Sequence, residues 1–75
     1  MKIKVLTFGA LTEILDKEFH AEAYDTESLM DSLAARHGAL AGRSLLIAVN
    51  NVVVKGNVPL KKNDVVALMP PYSGG

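Results

Sequence analysis

The sequence has no cysteine and no tryptophan among its 75 residues, and only 5% of the residues are aromatic. Without cysteine the chain cannot form a disulfide, a thiolate metal site or a cysteine nucleophile. Sulfur chemistry would therefore have to use another group of the chain. The formal net charge is zero, which argues against a nucleic-acid-binding protein that relies on a large basic surface.

Long hydrophobic runs are missing as well. The longest, 45–49 and 65–69, are far shorter than the roughly 18 apolar residues that span a membrane, and Lys4 interrupts the start of any signal-peptide apolar region. We therefore expect a cytoplasmic protein with no membrane partner. With 49% hydrophobic and 21% charged residues, the composition predicts a single small globular domain over residues 1–75.

The charges are unevenly placed along the chain. Residues 1–31 hold three lysines and seven aspartates or glutamates, a net charge of −4, whereas residues 32–75 hold five lysines or arginines and one aspartate, a net charge of +4. This pattern has two interpretations, an incidental bias on solvated faces or a charged docking surface for a protein partner.

The pattern over residues 2–24 predicts a hairpin with a wide connection. Residues 2–9 alternate lysine with apolar residues and then turn apolar on both sides, as in a strand whose second half is covered or is exposed for a reason. Residues 10–15 suit one or two helical turns, and 16–24 suit a second strand.

A helix is expected over residues 25–38. Asp25 or Thr26 can cap its first turn, and Gly38 can end it in the left-handed conformation. Its apolar residues recur at spacings of three and four, which predicts one face buried against a sheet.

Strands are expected again over 44–50, 52–56 and 65–69, with Asn50-Asn51 as a tight turn between the first two. A hairpin, a helix and further strands, in this order, predict an α+β fold of the β-grasp kind, a mixed sheet with one helix on one face. The first and last strands would then lie side by side in parallel, so that both project their ends in the same direction.

The sequence offers few groups for an active site. His20 and His37 fit structural or neutral roles, and no serine has a G-x-S-x-G context. What remains is the end of the chain. Gly74-Gly75 is either a flexible end without a role or a tail slim enough to carry its α-carboxylate into a partner's narrow channel, and Pro70-Pro71 would form a stiff spacer behind it.

The segments "KIKVLTFGALTEIL", "LLIAVNNVVV" and "LKKNDVVALMPPYSGG" together resemble the small, sulfur-carrier subunit of molybdopterin synthase, a ubiquitin-like β-grasp family. The resemblance implies that an adenylating enzyme related to ubiquitin-activating enzymes uses ATP to join AMP to the carboxylate of Gly75. A sulfurtransferase or cysteine desulfurase system then supplies sulfur, which replaces AMP and leaves a thiocarboxylate. Inside the large synthase subunit, sulfur from two such carriers converts cyclic pyranopterin monophosphate into the molybdopterin dithiolene.

The resemblance also implies roles for particular residues, with neither a metal nor a bound cofactor on this chain. Gly75 carries the adenylate and then the sulfur. An apolar patch on the sheet binds both the activating enzyme and the large subunit. For the residues of this patch, the alternative interpretation is that they pack in the core. The tail-insertion residues are Pro70, Pro71, Tyr72, Ser73 and Gly74, and the docking residues are Phe8, Val53 and Met69.

The sequence also fits two other hypotheses about function. Another ubiquitin-like sulfur carrier, for thiamine or thiolated tRNA, or an archaeal-type protein modifier would share the terminal Gly-Gly, but thiamine carriers generally lack the double proline. A non-catalytic β-grasp interaction module would have a tail without covalent chemistry, and loss of Gly75 would then leave its function intact.

Overall fold

The computed structural model describes residues 2–40 and 44–71. They form five strands, one α-helix and two short 3₁₀ segments. In chain order the elements are β1 (Lys2–Thr7), a first 3₁₀ segment (Gly9–Glu13), β2 (Glu18–Glu22), α1 (Thr26–Arg36), a second 3₁₀ segment (Gly38–Leu40), β3 (Leu46–Val49), β4 (Val52–Val54) and β5 (Val65–Met69). No helix in these two ranges is long and apolar enough to cross a bilayer.

The strands form one mixed sheet in the order β2-β1-β5-β3-β4. β1 and β5 are parallel, with Val5 opposite Val66, and the other neighbouring pairs are antiparallel. The first and last strands therefore lie side by side as predicted, and the prediction of a β-grasp arrangement is confirmed. Since β1 and β5 run in the same direction, their carboxyl ends meet at one edge of the sheet.

The hydrophobic core lies between α1 and one face of the sheet. Alternation along β1 and β5 directs every second side chain towards α1. The most deeply buried members are Ile3, Val5, Val66 and Leu68 of the sheet and Leu29 and Leu33 of α1. Burying each such side chain stabilises the fold by about 1.5–3 kcal/mol relative to leaving it in water, so the pairing of α1 with this face fixes which face of the sheet remains open.

The start of α1 agrees with the prediction. Asp25 is the N-cap, its side chain accepts a hydrogen bond from the Ser28 N–H at 2.8 Å, and Ser28 completes a capping box. Thr26 is instead the first residue of the helix and is buried.

The predicted left-handed end at Gly38 is wrong. The helix ends at Arg36, and its C-cap is His37, whose φ is −129° and whose N–H donates to Leu33 O at 2.8 Å. Gly38 then opens the second 3₁₀ segment without a left-handed φ. This segment places Leu40 in the core at 3% exposure, so the burial of Leu40 explains the path of the chain.

The turn between β3 and β4 is the tight one expected from Asn50-Asn51. Both residues have positive φ, 50° and 71°, as the two-residue hairpin turn that matches strand twist requires. β3 and β4 are shorter than predicted, and β4 stops before Gly56, whose φ of 70° leaves the extended conformation.

Candidate functional site

The base of the predicted tail lies at the carboxyl edge of the two central parallel strands. β5 ends at Met69, and Pro70 and Pro71 follow it at once. The N–H of Phe8 donates to Leu68 O at 3.1 Å, which continues the β1–β5 ladder one residue past the end of β1. Pro70 is half-buried and Pro71 is exposed, so the chain becomes exposed to solvent within two residues of the end of β5.

Gly9 lies directly against this exit. It has a φ of +62°, and a Cβ built on it would lie 3.1 Å from Pro70 Cγ. The first proline of the tail therefore packs against a residue that has no side chain. Nothing in the sequence points to Gly9, because a contact between positions 9 and 70 leaves no local pattern.

The predicted tail residues beyond Pro71 are Tyr72, Ser73, Gly74 and Gly75, and all four lie outside the described residues. Their roles in insertion and sulfur carriage stay predictions.

The sheet face opposite α1 carries a row of apolar side chains that crosses four strands. Leu6 of β1 is opposite Ala67 of β5, Ala67 is opposite Ala48 of β3, and Ala48 is opposite Val53 of β4. The ends of the row are Leu6 and Val53. Because alanine has a short side chain, the two alanines between them project less from the sheet.

A second row lies nearer the tail. Met69 is opposite Leu46, and Phe8 follows Leu6 by two positions, which places it on the same face beside Met69. We call the two rows together the open face; its members are Leu6, Phe8, Leu46, Ala48, Val53, Ala67 and Met69.

The three predicted docking residues all lie on the open face. Phe8 and Val53 are 47% and 56% exposed, so core packing does not account for them. Met69 is half-buried and lies between Phe8 and Leu46. Leu46, at 38% exposure, belongs to the same surface and was missed, although its alternation with Ala48 was a signal that could have found it.

An ion pair borders the open face on the β2 side. Lys4 Nζ lies 3.3 Å from Glu18 Oε2, and Glu18 is directly opposite Leu6. Since both side chains are partly exposed, the pair contributes at most about 1 kcal/mol to stability. Its effect is to separate the apolar rows from the polar outer side of β2, where His20 is exposed.

The described part of the chain holds no cluster of three or more potential metal ligands. Two carboxyl groups have lowered pKa values for structural reasons. The side-chain amide of Asn57 is the main cause of the lowered pKa of Asp25, and the side-chain amide of Asn50 has the same effect on the pKa of Asp64. Neither carboxylate lies on the open face, so the features that remain for function are this face and the tail beside it.

The ThiS family model matches residues 5–75 of this sequence. The chain belongs to the ThiS family. Within the curated proteins, this ThiS-family chain is similar to the molybdopterin synthase sulfur carrier subunit of Escherichia coli, with 36% identity over 97% of this chain and 99% of the relative.

Solved structures give the same picture of the fold. The ThiS-family chain resembles subunit 1 in the Helicobacter pylori complex of molybdopterin-converting factor subunits 1 and 2, with 32% identity, a TM-score of 0.73 and complete coverage of both chains. It also resembles the Pyrococcus furiosus protein provisionally named molybdopterin converting factor subunit 1, with 25% identity and a TM-score of 0.85 over 95% of this chain and 98% of that one.

A third structure shares the fold alone. SAMP1 from Haloferax volcanii has a TM-score of 0.82 over the full length of both chains, at only 19% identity. The ubiquitin-like β-grasp fold is therefore established for this ThiS-family chain, and the fold is common to proteins with different names.

Proposed function

We propose that this chain is the sulfur carrier of molybdopterin synthesis. In this proposal the carboxylate of Gly75 is adenylated, becomes a thiocarboxylate and donates its sulfur to cyclic pyranopterin monophosphate within a molybdopterin synthase complex. The observation that carries the proposal is the match over 97% of the chain, at 36% identity, to the E. coli sulfur carrier subunit. The terminal Gly74-Gly75 of this sequence supplies the group on which the chemistry would take place.

The chemistry assigned to this chain is modest. A carboxylate is a poor electrophile, and joining it to AMP with loss of pyrophosphate gives an acyl carbon with a good leaving group. A hydrosulfide equivalent from the sulfur donor then displaces AMP and leaves the thiocarboxylate. ATP is consumed by the activating enzyme, and the carrier itself needs no bound cofactor. The sulfur sits on the main-chain end, in agreement with a sequence that has no cysteine.

The open face provides the surface for docking. Phe8, Val53 and Met69 are the contact residues of the proposal, and Leu46 joins them on the structural grounds given above. Phe8, Leu46 and Val53 are the exposed members of this face, and exposed apolar side chains grouped on one surface are typical of a protein interaction site. Because Phe8 and Met69 also flank the start of the tail, a partner that covers the open face receives the tail at the edge of the same contact.

The reach of the tail fits a delivery role. The four residues beyond Pro71 span at most about 14 Å when extended, which is enough to enter a channel next to the docking site. Gly74 supplies the narrow cross-section, Ser73 and Tyr72 line the channel entry, and the two prolines restrict the direction of the tail before binding, which lowers the entropy lost on insertion.

The proposed partners are the large molybdopterin synthase subunit, a ubiquitin-activating-like adenylyltransferase and a sulfurtransferase or cysteine desulfurase system, all in the cytoplasm. The H. pylori structure, a complex of subunits 1 and 2, supports the first. Because SAMP1 shares the fold, the fold does not choose among sulfur-carrier pathways. The identity to the E. coli subunit favours molybdopterin.

Intact-protein mass spectrometry tests the proposal. After incubation with ATP, the cognate activating enzyme and a sulfur source, the full chain should gain the mass difference between one sulfur and one oxygen. A chain that lacks Gly75 should fold equally well and gain far less. No gain on the full chain with active partner enzymes would disprove the carrier function.

A second reaction identifies the pathway. The loaded carrier, mixed with the large synthase subunit and cyclic pyranopterin monophosphate, should lose its sulfur as the dithiolene forms. A carrier that loads but never unloads to this acceptor would belong to another sulfur-transfer pathway.

A further inference from the structure

Gly9 and Pro70 meet where the tail leaves the sheet. A Cβ on Gly9 would lie 3.1 Å from Pro70 Cγ and 3.4 Å from Pro70 Cδ. The first of these separations is tighter than nine in ten real Cβ contacts. With any larger residue at position 9, either the segment around Gly9 or the proline would have to move by a few tenths of an ångström.

The segment around Gly9 is anchored and is therefore the less yielding side. Phe8 N–H donates to Leu68 O at 3.1 Å, and Thr12 Oγ1 donates to Gly9 O at 2.9 Å. Two residues later Leu11 is in the core at 1% exposure. A shift of Gly9 away from Pro70 would disturb a ladder bond, a turn and a core side chain together.

Pro70 has few ways to give way. Its ring is closed onto its own backbone nitrogen, so its Cγ moves only when the ring pucker changes or the backbone turns. It follows β5 directly, and the next residue, Pro71, is exposed. An atom that pushes against Pro70 would therefore turn the backbone where the tail begins.

The tail leaves the sheet through Pro70, so the direction in which it starts is set at this contact. Since a misplacement of about 1 Å at a reacting group can cost on the order of a hundredfold in rate, the contact at Pro70 bears on the position of Gly75.

We propose that Gly9 is a positioning residue for sulfur delivery: its bare Cα forms the surface on which Pro70 rests, and this contact aims the tail at the partner's reacting groups. The inference rests on the proposed function, because it assigns Gly9 a role in the same transfer. Gly9 acts through Pro70 and does not touch the reacting carboxylate.

Gly56 provides a matched control. Its φ is +70°, close to that of Gly9, but a Cβ built on it meets nothing within 4 Å. Alanine at either position carries the same kind of backbone strain, and only Gly9→Ala presses on Pro70. The denaturation midpoint of Gly56→Ala should fall through this strain alone, and that of Gly9→Ala should fall by this amount and by the cost of the contact with Pro70.

The kinetic test separates positioning from docking. At saturating activating enzyme, we expect Gly9→Ala to form thiocarboxylate about tenfold more slowly than Gly56→Ala, with the Kd for the partner within about twofold of the unchanged chain. Equal rates for the two variants, or a loss explained by weaker partner binding, would overturn the proposal.

Pro70→Ala supplies the rescue, because alanine lacks Cγ and Cδ. The effect of Gly9→Ala on the rate should be at least about threefold smaller in the Pro70→Ala background than in the unchanged chain, since contacting residues are not additive. Purely additive losses would contradict a contact-based role.

An NMR measurement distinguishes failure of this inference from failure of the proposed function. Gly9→Ala should shift the backbone amide resonances of the residues after Pro71, and Gly56→Ala should leave them in place. If the unchanged chain forms no thiocarboxylate, the proposed function fails. If the tail resonances of Gly9→Ala do not shift, Gly9 does not position the tail, whatever the function.

Discussion

The side-chain amide of Asn57 donates to Asp25 Oδ2 at 3.0 Å, although the two residues are 32 positions apart. The side-chain Oδ1 of Asn57 also accepts the Glu27 N–H at 2.9 Å, so α1 is capped both by its own N-cap and by a distant loop. This loop leads to β5, the strand from which the tail emerges. The start of the helix and the approach to the tail strand are thus held together by polar contacts.

The Asp25 carboxylate should contribute stability that depends on pH. Hydrogen bonds, first from Asn57 and then from Ser28, hold the pKa of Asp25 below its ordinary value of 3.8. A lowered folded-state pKa means that the contribution is complete above pH 3.8 and is lost as the pH falls through the lowered value. We expect the unfolding free energies of the unchanged chain and Asp25→Asn to differ at pH 7 and to converge below pH 3.8.

Urea denaturation over a pH series measures this convergence. Asp31→Asn, at an exposed position of the same helix, is the control and should show no comparable gap at pH 7. A difference for Asp25→Asn that stays constant down to the lowest pH would contradict the assignment.

Thr26 should be more sensitive to loss of its hydroxyl than to loss of its methyl group. It is 2% exposed, and its Oγ1 accepts the Val58 N–H at 3.0 Å. Thr26→Val would leave that part-buried N–H without its partner, at a cost of at most about 1–3 kcal/mol. Hydrogen exchange at the Val58 amide should accelerate in Thr26→Val and remain protected in Thr26→Ser, and equal acceleration in both would argue against the bond.

The two asparagines of the β3–β4 turn should differ in their tolerance of glycine. Asn50 Oδ1 accepts the Val65 N–H and Asn50 Nδ2 donates to Asp64, both at 3.0 Å, so Asn50→Gly should cost about 1–2 kcal/mol. Asn51 is exposed with a φ of 71°, and Asn51→Gly should change stability by less than about 0.5 kcal/mol because glycine favours this conformation. Thermal unfolding of the two variants measures the contrast, and similar midpoints would contradict it.

The fold could be predicted from sequence because its signals are local. The alternation in 2–9 and 65–69, the apolar spacing in 25–38 and the Asn50-Asn51 pair each indicate an element, and the order of the elements then restricts the topology. The predicted first and last residues of the elements were less accurate. Gly38 was assigned a left-handed end because it follows the helix, whereas burial of Leu40 determines the local path.

The site could be predicted only in part. The prediction placed Phe8, Val53 and Met69 on one surface. The register brings Val53 and Met69 to the open face, and alternation after Leu6 brings Phe8 there. The contacts of Gly9 with Pro70 and of Asn57 with Asp25 depend on how distant segments meet, so neither follows from spacing along the chain.

Val52 and Val53 provide the sharpest test of the open face. They are neighbours on β4 and similarly exposed, at 63% and 56%, but Val53 lies on the open face and Val52 is opposite Val49 on the face that carries α1. Val53→Asp would place a charge in an apolar contact and should weaken binding of the large synthase subunit by about 2 kcal/mol, roughly thirtyfold in Kd. Val52→Asp should change the binding free energy by less than about 0.5 kcal/mol.

Isothermal titration calorimetry on the two variants measures the difference, and thermal unfolding shows whether both remain folded. Because the two substitutions add the same charge to the same edge strand, net charge and strand propensity cancel in the comparison. Only the face on which the charge lies differs. Equal weakening by both variants would indicate a contact along the β4 edge, and no weakening by Val53→Asp would remove the open face from the docking surface.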